Sequence, residues 1–225
     1  MGGFTKEVIN KKFDSGFIDA KILPHLIKCS KQLKVDCIAT GKLLKNNEDS
    51  ITNKSIAEYL NAEPCDFRYE PQASENYDSE TGKYIGRTDI KVISRFDYFN
   101  DIKAYCLVEC KRIDGDSLLN KKYITEGVSR FLTPAPTPKY SSYYGRSIMF
   151  GYVVQAIDIP ANVSEISALQ SCIIKEITVG NFVLTQEDSQ YYVYTCAYDS
   201  MHTGRIKLSH LFFDFADVVC KRKDV

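Results

Sequence analysis

The chain has 225 residues, 44% of them hydrophobic, and its 29 basic residues are balanced by 29 acidic ones. This composition supports a real globular core and excludes collagen-like, low-complexity and disordered chains. Neutrality argues against a strongly basic, free-standing nucleic-acid binder, although only the local surface meets the phosphates. No apolar run approaches the ~20 residues needed to cross a bilayer. The N-terminus has no secretory hydrophobic stretch, and Lys6 stands where a myristoylation signal needs Ser or Thr. The expectation is a cytoplasmic protein with no membrane partner.

Eight cysteines are scattered along the chain: Cys29, Cys37, Cys65, Cys106, Cys110, Cys172, Cys196 and Cys220. None forms a C-x-x-C pair or has a histidine at metal-ligand spacing, so a local zinc site is not expected. Small, buried, reduced thiols are expected instead.

In chain order, residues 17–45 read as a helix interrupted at Pro24, with Ile22, Leu26, Cys29 and Leu33 at helical spacing. A second helix is predicted over 47–60, with Ile51, Ser55, Ile56, Tyr59 and Leu60 inward. Residues 61–83, with Pro64, Pro71 and Gly82, read as an irregular crossing. The period then changes to two. KYIGRTDIKVISRF is one predicted strand, DYFNDI a turn and KAYCLVECKRI a second, more apolar strand. LLNKKYITEGVSRFL reads as a helix, TPAPTPKYSSYYG as a Pro-rich loop and SIMFGYVVQAI as a strand buried on both faces. A helix capped at Asn162 or Ser164 follows, then strands in NFVLTQ, YYVYTCAY and GRIKLSHLFFDF. The reading is a single α/β domain over 1–225, with a central mixed β-sheet flanked by helices. Its parts are an N-terminal helical segment (1–45), a core (46–160) and a C-terminal helix and strands (161–225).

The chemistry concentrates in the hairpin. Antiparallel partners have position numbers of constant sum, and a turn centred on Phe99–Asn100 sets that sum at about 198–200. Asp89 then faces Glu109 or Lys111 across the pair, with Cβ atoms ~4.5–5.5 Å apart. Glu109 and Lys111 share one strand face with Leu107, while Cys106, Val108 and Cys110 take the other. Two neighbouring carboxylates repel, and a hard divalent cation removes the conflict. Such a cation can hold a phosphodiester oxygen and an attacking water, and a lysine beside it can aim the water or offset developing charge. Cys110 abuts Glu109 but faces inward, so a thiolate enzyme ranks low.

GRTDIKV followed by LVECKRI resembles the D…(D/E)-x-K signature of the PD-(D/E)XK nuclease superfamily, over about residues 45–155. Thr88 stands at the nominal proline, and twenty residues separate Asp89 from Glu109. The resemblance implies a restriction-endonuclease-like core with extra C-terminal strands. It further implies Mg²⁺ (Mn²⁺ substituting) held by Asp89, Glu109, the Cys110 backbone carbonyl and Glu48, with Lys111 assisting the water. Glu58 and Asp49 are alternatives to Glu48. The implied function is DNA cleavage, in a setting like restriction or anti-phage defence, by a homodimer or a subunit of a defence complex. The alternative is a nuclease-fold subunit that binds or assembles with little catalysis.

Residues 111–146 carry seven basic residues (Lys111, Arg112, Lys121, Lys122, Arg130, Lys139, Arg146) against three acidic ones, an excess of +4. Lys121, Lys122, Arg130, Lys139 and Arg146 are therefore candidates for nucleic-acid contact. Arg130 either holds a phosphate or pairs with Glu126 on its helix. Tyr140, Tyr143 and Tyr144 can add stacking. His25, His202 and His210 are unclustered, and His202 and Arg205 are read as structural.

Overall fold

The structure is a computed structural model that describes residues 14–62, 65–132, 139–175, 177–200 and 204–221. Helix α1 joins a short turn Ser15–Phe17, a π turn Ile18–Ile22 and an α-helix Leu23–Thr40. The π turn sits just before Pro24, where the sequence pattern is interrupted; proline has no N–H to continue an i→i−4 ladder. Gly41 ends the helix in the left-handed region at φ +65°, which is why it stops short of residue 45. Helix α2 runs Glu48–Ser55 and continues as a π turn, Ile56–Leu60, with the Asn47 side chain accepting from the Ser50 N–H. Helix α3 joins Ser117–Lys122, a π turn Tyr123–Val128 and Ser129–Leu132. Helix α4 spans Ile159–Ile173.

Among the described residues there are ten strands: β1 Phe67–Pro71, β2 Ser74–Asp78, β3 Lys83–Arg87, β4 Ile90–Ser94, β5 Tyr105–Ile113, β6 Arg146–Val153, β7 Thr178–Val179, β8 Val183–Asp188, β9 Tyr191–Ser200 and β10 Gly204–Asp214. Eight form one mixed sheet in the order β1-β4-β5-β6-β10-β9-β7, with β8 also pairing β9; β2 and β3 form a separate ribbon. β5, β6 and β10 run parallel to one another, and the other pairs are antiparallel. The C-terminal β10 lies between β6 and β9, so the last strands extend the same sheet.

Alternation along the central strands builds two cores, one on each face. Cys106, Val108, Cys110, Phe150 and Phe213 pack against α1 and α2. Leu107, Met149 and Phe212 pack against α3 and α4 through Tyr123, Ile124 and Ile166. All eight residues of β6 are buried, as an interior parallel strand requires.

Three sequence expectations need correction. Residues 61–83 are not a crossing segment, because they contain β1 and β2. Both strands are only five residues long, and β2, SENYD, is mostly polar because its ribbon stands outside the main sheet. The single strand expected over 83–96 is two strands in different sheets, divided at Thr88–Asp89. The last helix starts at Ile159, not at Asn162 or Ser164. Its cap is Asp158, which accepts from the Ala161 N–H, with Pro160 in the first turn. Part of the Pro-rich loop, 133–138, and His202 lie outside the described residues.

None of the eight cysteines is in a disulfide, and five of them are buried. Among the described residues no helix is long and apolar enough to cross a membrane.

Candidate active site

The site exists because β4 leaves β5 early. Strand pairing between them runs only to Ile90 opposite Val108, a constant sum of 198 that carries on to Asp89 opposite Glu109. Before Ile90 the chain turns away toward the β2–β3 ribbon. The β5 N–H groups beyond Val108 on that side have no strand to pair with, and buried N–H groups must be satisfied. Carboxylates take the place of the missing strand. Asp89 Oδ2 accepts from the Cys110 N–H at 2.7 Å, and Glu48 Oε2 accepts from the Arg112 N–H at 3.1 Å. Glu48 comes from the first turn of α2, where the helix N-terminus also favours negative charge.

Lys111 stands at the centre of these groups. Its Nζ lies 2.9 Å from Glu48 Oε1, 2.9 Å from Glu109 Oε1 and 3.7 Å from Asp89 Oδ2. It also donates to the Cys110 carbonyl at 2.7 Å. The sequence suggests that Lys111 merely borders the core, but its side chain is only 8% exposed. Burial opposes the charge, yet Glu109, Asp89 and Glu48 outweigh it and hold the lysine pKa above its usual value. The stem is clamped as well. A Cβ on Gly127, in the π turn of α3, would sit 2.5 Å from Met149 Cε and 3.4 Å from Lys111 Cγ. A side chain at Gly127 would have to displace the terminal methyl of Met149.

Glu109 is fully buried. Burial raises its pKa to about 7, helped by Asp89 and opposed by Lys111, Arg130 and the Tyr140 hydroxyl. Burial likewise raises that of Glu48, against the pull of Lys111. Arg130 Nη1 lies 3.1 Å from Glu109 Oε1 and donates to the Tyr140 hydroxyl at 2.6 Å. The single Tyr140 hydroxyl proton has two acceptors, Glu109 Oε2 at 2.6 Å and the Arg87 carbonyl at 2.7 Å. Glu109 Oε1 has charge contacts with Lys111 and Arg130 but no directed hydrogen bond.

A cleft of about 290 Å³ opens over these groups. Glu48, Asp49, Asp89 and Glu126 supply negative charge to its lining, and Arg87, Arg130 and Lys139 positive charge. Of the residues the sequence proposed, Asp89, Glu109, Lys111, Glu48 and the Cys110 carbonyl come together here, and Asp49, Arg130 and Lys139 line the cleft. Glu58 lies elsewhere, paired with Lys54 at 2.5 Å. Lys122 borders an adjoining depression beside Glu126, and Lys121 is exposed outside both. Arg146 is buried against Asp19 and does not line the cleft. The Glu126–Arg130 pair suggested by helical spacing does not form, because the π turn changes the phase of α3 and carries Arg130 to Glu109. Tyr140 contributes to the site by its hydroxyl, not by stacking. Arg205 is exposed beside Asp199, and His210 is wholly buried, its Nδ1 2.8 Å from the Tyr123 hydroxyl. Arg87 carries no sequence signal for its place in the cleft.

In donor type the site fits a hard divalent cation: three carboxylates and a backbone carbonyl, all oxygen. The fully buried Glu109 Oε1, without a directed hydrogen bond, is the most available acceptor. Their present spacing is set by the ammonium. Among the described residues no group of three or more His, Cys, Asp or Glu is arranged to hold a metal ion by itself. Set beside known protein families, characterised proteins and solved structures, the chain matches none.

Proposed function

We propose that the chain is a divalent-metal-dependent phosphodiesterase acting on DNA, in the manner of the PD-(D/E)XK nucleases that its D…E-x-K pattern resembles. The observation that carries this reading is the convergence of Glu48, Asp89, Glu109 and the Cys110 carbonyl on the Lys111 ammonium in an open cleft.

Mg²⁺ bound to that oxygen set would supply Lewis-acid polarisation of a phosphate oxygen and a water acidic enough to attack at neutral pH. In hydrolysis the water oxygen forms a new bond to phosphorus and gives up a proton, the ester P–O bond breaks, and the leaving alkoxide takes up a proton, so that one proton is released and one consumed. Negative charge grows on the phosphate oxygens as this happens. Lys111 places a fixed positive charge at the cleft floor to meet it, without the cost of reorienting solvent. Arg130 and Tyr140 hold the Glu109 carboxylate from behind, Arg130 also presenting its guanidinium to the cleft. Arg87 and Lys139 offer positive charge to the rest of the phosphate backbone.

The test is plasmid DNA with Mg²⁺ or Mn²⁺ against a chelated control. Cleavage is expected only with metal, and Lys111→Ala should reduce it by ~10²–10³. Lys111→Ala leaves three carboxylates without their central cation, so it is also expected to unfold more easily without metal. Wild-type cleavage by a folded Lys111→Ala protein would remove the triplet from catalysis. The alternative is a nuclease-fold subunit that binds or assembles. It is favoured by Lys111 already filling the centre of the oxygen set, and it stands if the folded wild type cleaves nothing.

A further inference from the structure

The β2–β3 ribbon stands outside the main sheet and forms one wall of the cleft: Ile85, Gly86 and Arg87 of β3 all line it. It is fixed at its root. Glu75, buried, receives Lys91 Nζ at 3.1 Å and the Tyr105 hydroxyl at 2.9 Å. A Cβ on Gly86 would fall 2.1 Å from the Lys139 carbonyl oxygen, so the ribbon backbone rests directly on the segment that carries Lys139 and Tyr140. Ser141 Oγ adds a bond to Asn76 Oδ1 at 2.8 Å.

Beyond this anchored part the ribbon displays Tyr77 and Tyr84, each 60% exposed. They are cross-strand partners with ring centroids 5.4 Å apart in an edge-to-face arrangement. An edge-to-face pair leaves ring faces open to a third aromatic group. Alternation along β3 puts Tyr84 on the face of Gly86, which rests on the backbone of the exposed Lys139, and puts Arg87 on the opposite face. Open aromatic faces next to positive charge are the means by which proteins hold unpaired nucleic-acid strands: charge follows the backbone while the rings stack bases of any sequence. The ribbon tip, by contrast, carries Asp78 and Glu80. Asp78 is engaged by the Thr81 hydroxyl and the Glu80 N–H.

We propose that the β2–β3 ribbon is a binding platform for an unpaired nucleic-acid strand next to the cleft, with Tyr77 and Tyr84 stacking its bases and Lys139 meeting its phosphates. This rests on the phosphodiesterase reading and narrows its substrate to strands with single-stranded character. A base-paired duplex already stacks its bases and offers the rings no free face.

The test measures binding alone, by fluorescence anisotropy in chelator, with a labelled thymidine oligonucleotide and a blunt duplex of equal length. Tyr77→Leu/Tyr84→Leu keeps apolar bulk on the ribbon and removes the rings, and should weaken single-strand binding roughly tenfold, the scale of one lost base stack. Tyr77→Phe/Tyr84→Phe should bind within about twofold of wild type, since every ring face remains. Duplex affinity should be unchanged in both. If thermal unfolding shows that the double leucine change loosens the chain, the single changes Tyr77→Leu and Tyr84→Leu carry the same comparison. Wild-type single-strand binding by the leucine variants, or an equal loss for duplex, would overturn the proposal and leave the tyrosines as a pair that merely braces the ribbon. Because no metal is present, the outcomes separate: tyrosine-dependent binding without cleavage sinks the nuclease reading only, and cleavage with tyrosine-independent binding sinks this one only.

Discussion

Replacing Glu109 by glutamine should make the metal-free protein more stable at pH 8 than the parent. Burial holds the Glu109 carboxyl at about 7, against an ordinary 4.5. Between those pH values the native chain keeps a proton that the unfolded chain has released. Stability contributed by that proton is complete below 4.5, falls as pH rises and is gone above 7. The slope is about 1.4 kcal/mol per pH unit, and the whole loss about 3 kcal/mol. Glutamine keeps the shape, stays neutral and cannot titrate. The variant should therefore match the parent near pH 4.5 and exceed it by about 3 kcal/mol at pH 8, or roughly 6–12 °C in Tm for a chain of this size. Denaturant melts of both proteins in chelator, from pH 4.5 to 8, give the difference between the curves directly. Two parallel curves would refute the reasoning, showing that Lys111 and Arg130 fully offset the burial of the Glu109 charge.

His210 should act in the opposite direction on the acid side. Burial lowers its pKa to about 3 from 6.5, so the stability of its neutral form is present above 6.5 and is lost as pH falls toward 3. From 4.5 to 6.5 the two slopes nearly cancel in the parent; Glu109→Gln should expose the His210 slope, and denaturant midpoints on that variant check it. Gly127→Ala pushes a Cβ to 2.5 Å from Met149 Cε, an overpacking expected to cost about 1–3 kcal/mol. Chemical denaturation of Gly127→Ala checks it, and a loss under about 0.5 kcal/mol would show that the flexible end of Met149 simply moves aside.

The cleft floor was legible because a strand has a strict period of two. Parity put Glu109 and Lys111 on one face, and the hairpin sum put Asp89 opposite, both as the structure has them. The start of α4 is written in the sequence by Asp158 as cap with Pro160 behind it. The walls were less legible for physical reasons. The π turn in α3 breaks the 3.6-residue phase from which the place of Arg130 is read. Tyr140 lies on a stretch with no periodicity, and its partner across 31 residues leaves no local mark. Charge counting favoured Arg146 because a basic excess does not reveal which guanidinium is buried against an aspartate.

The early departure of β4 also divides the cleft in time. Its floor, Glu109 and Lys111, belongs to β5, an interior strand held by β4 on one side and β6 on the other and buried along nearly its whole length. Such a strand opens only with the whole fold. The wall opposite is a two-stranded ribbon joined to the rest through its root and a few polar contacts, and elements of that kind open far more often. Chemistry of the kind proposed would thus rest on a strand that opens late, while the wall a substrate would meet belongs to an element that opens early.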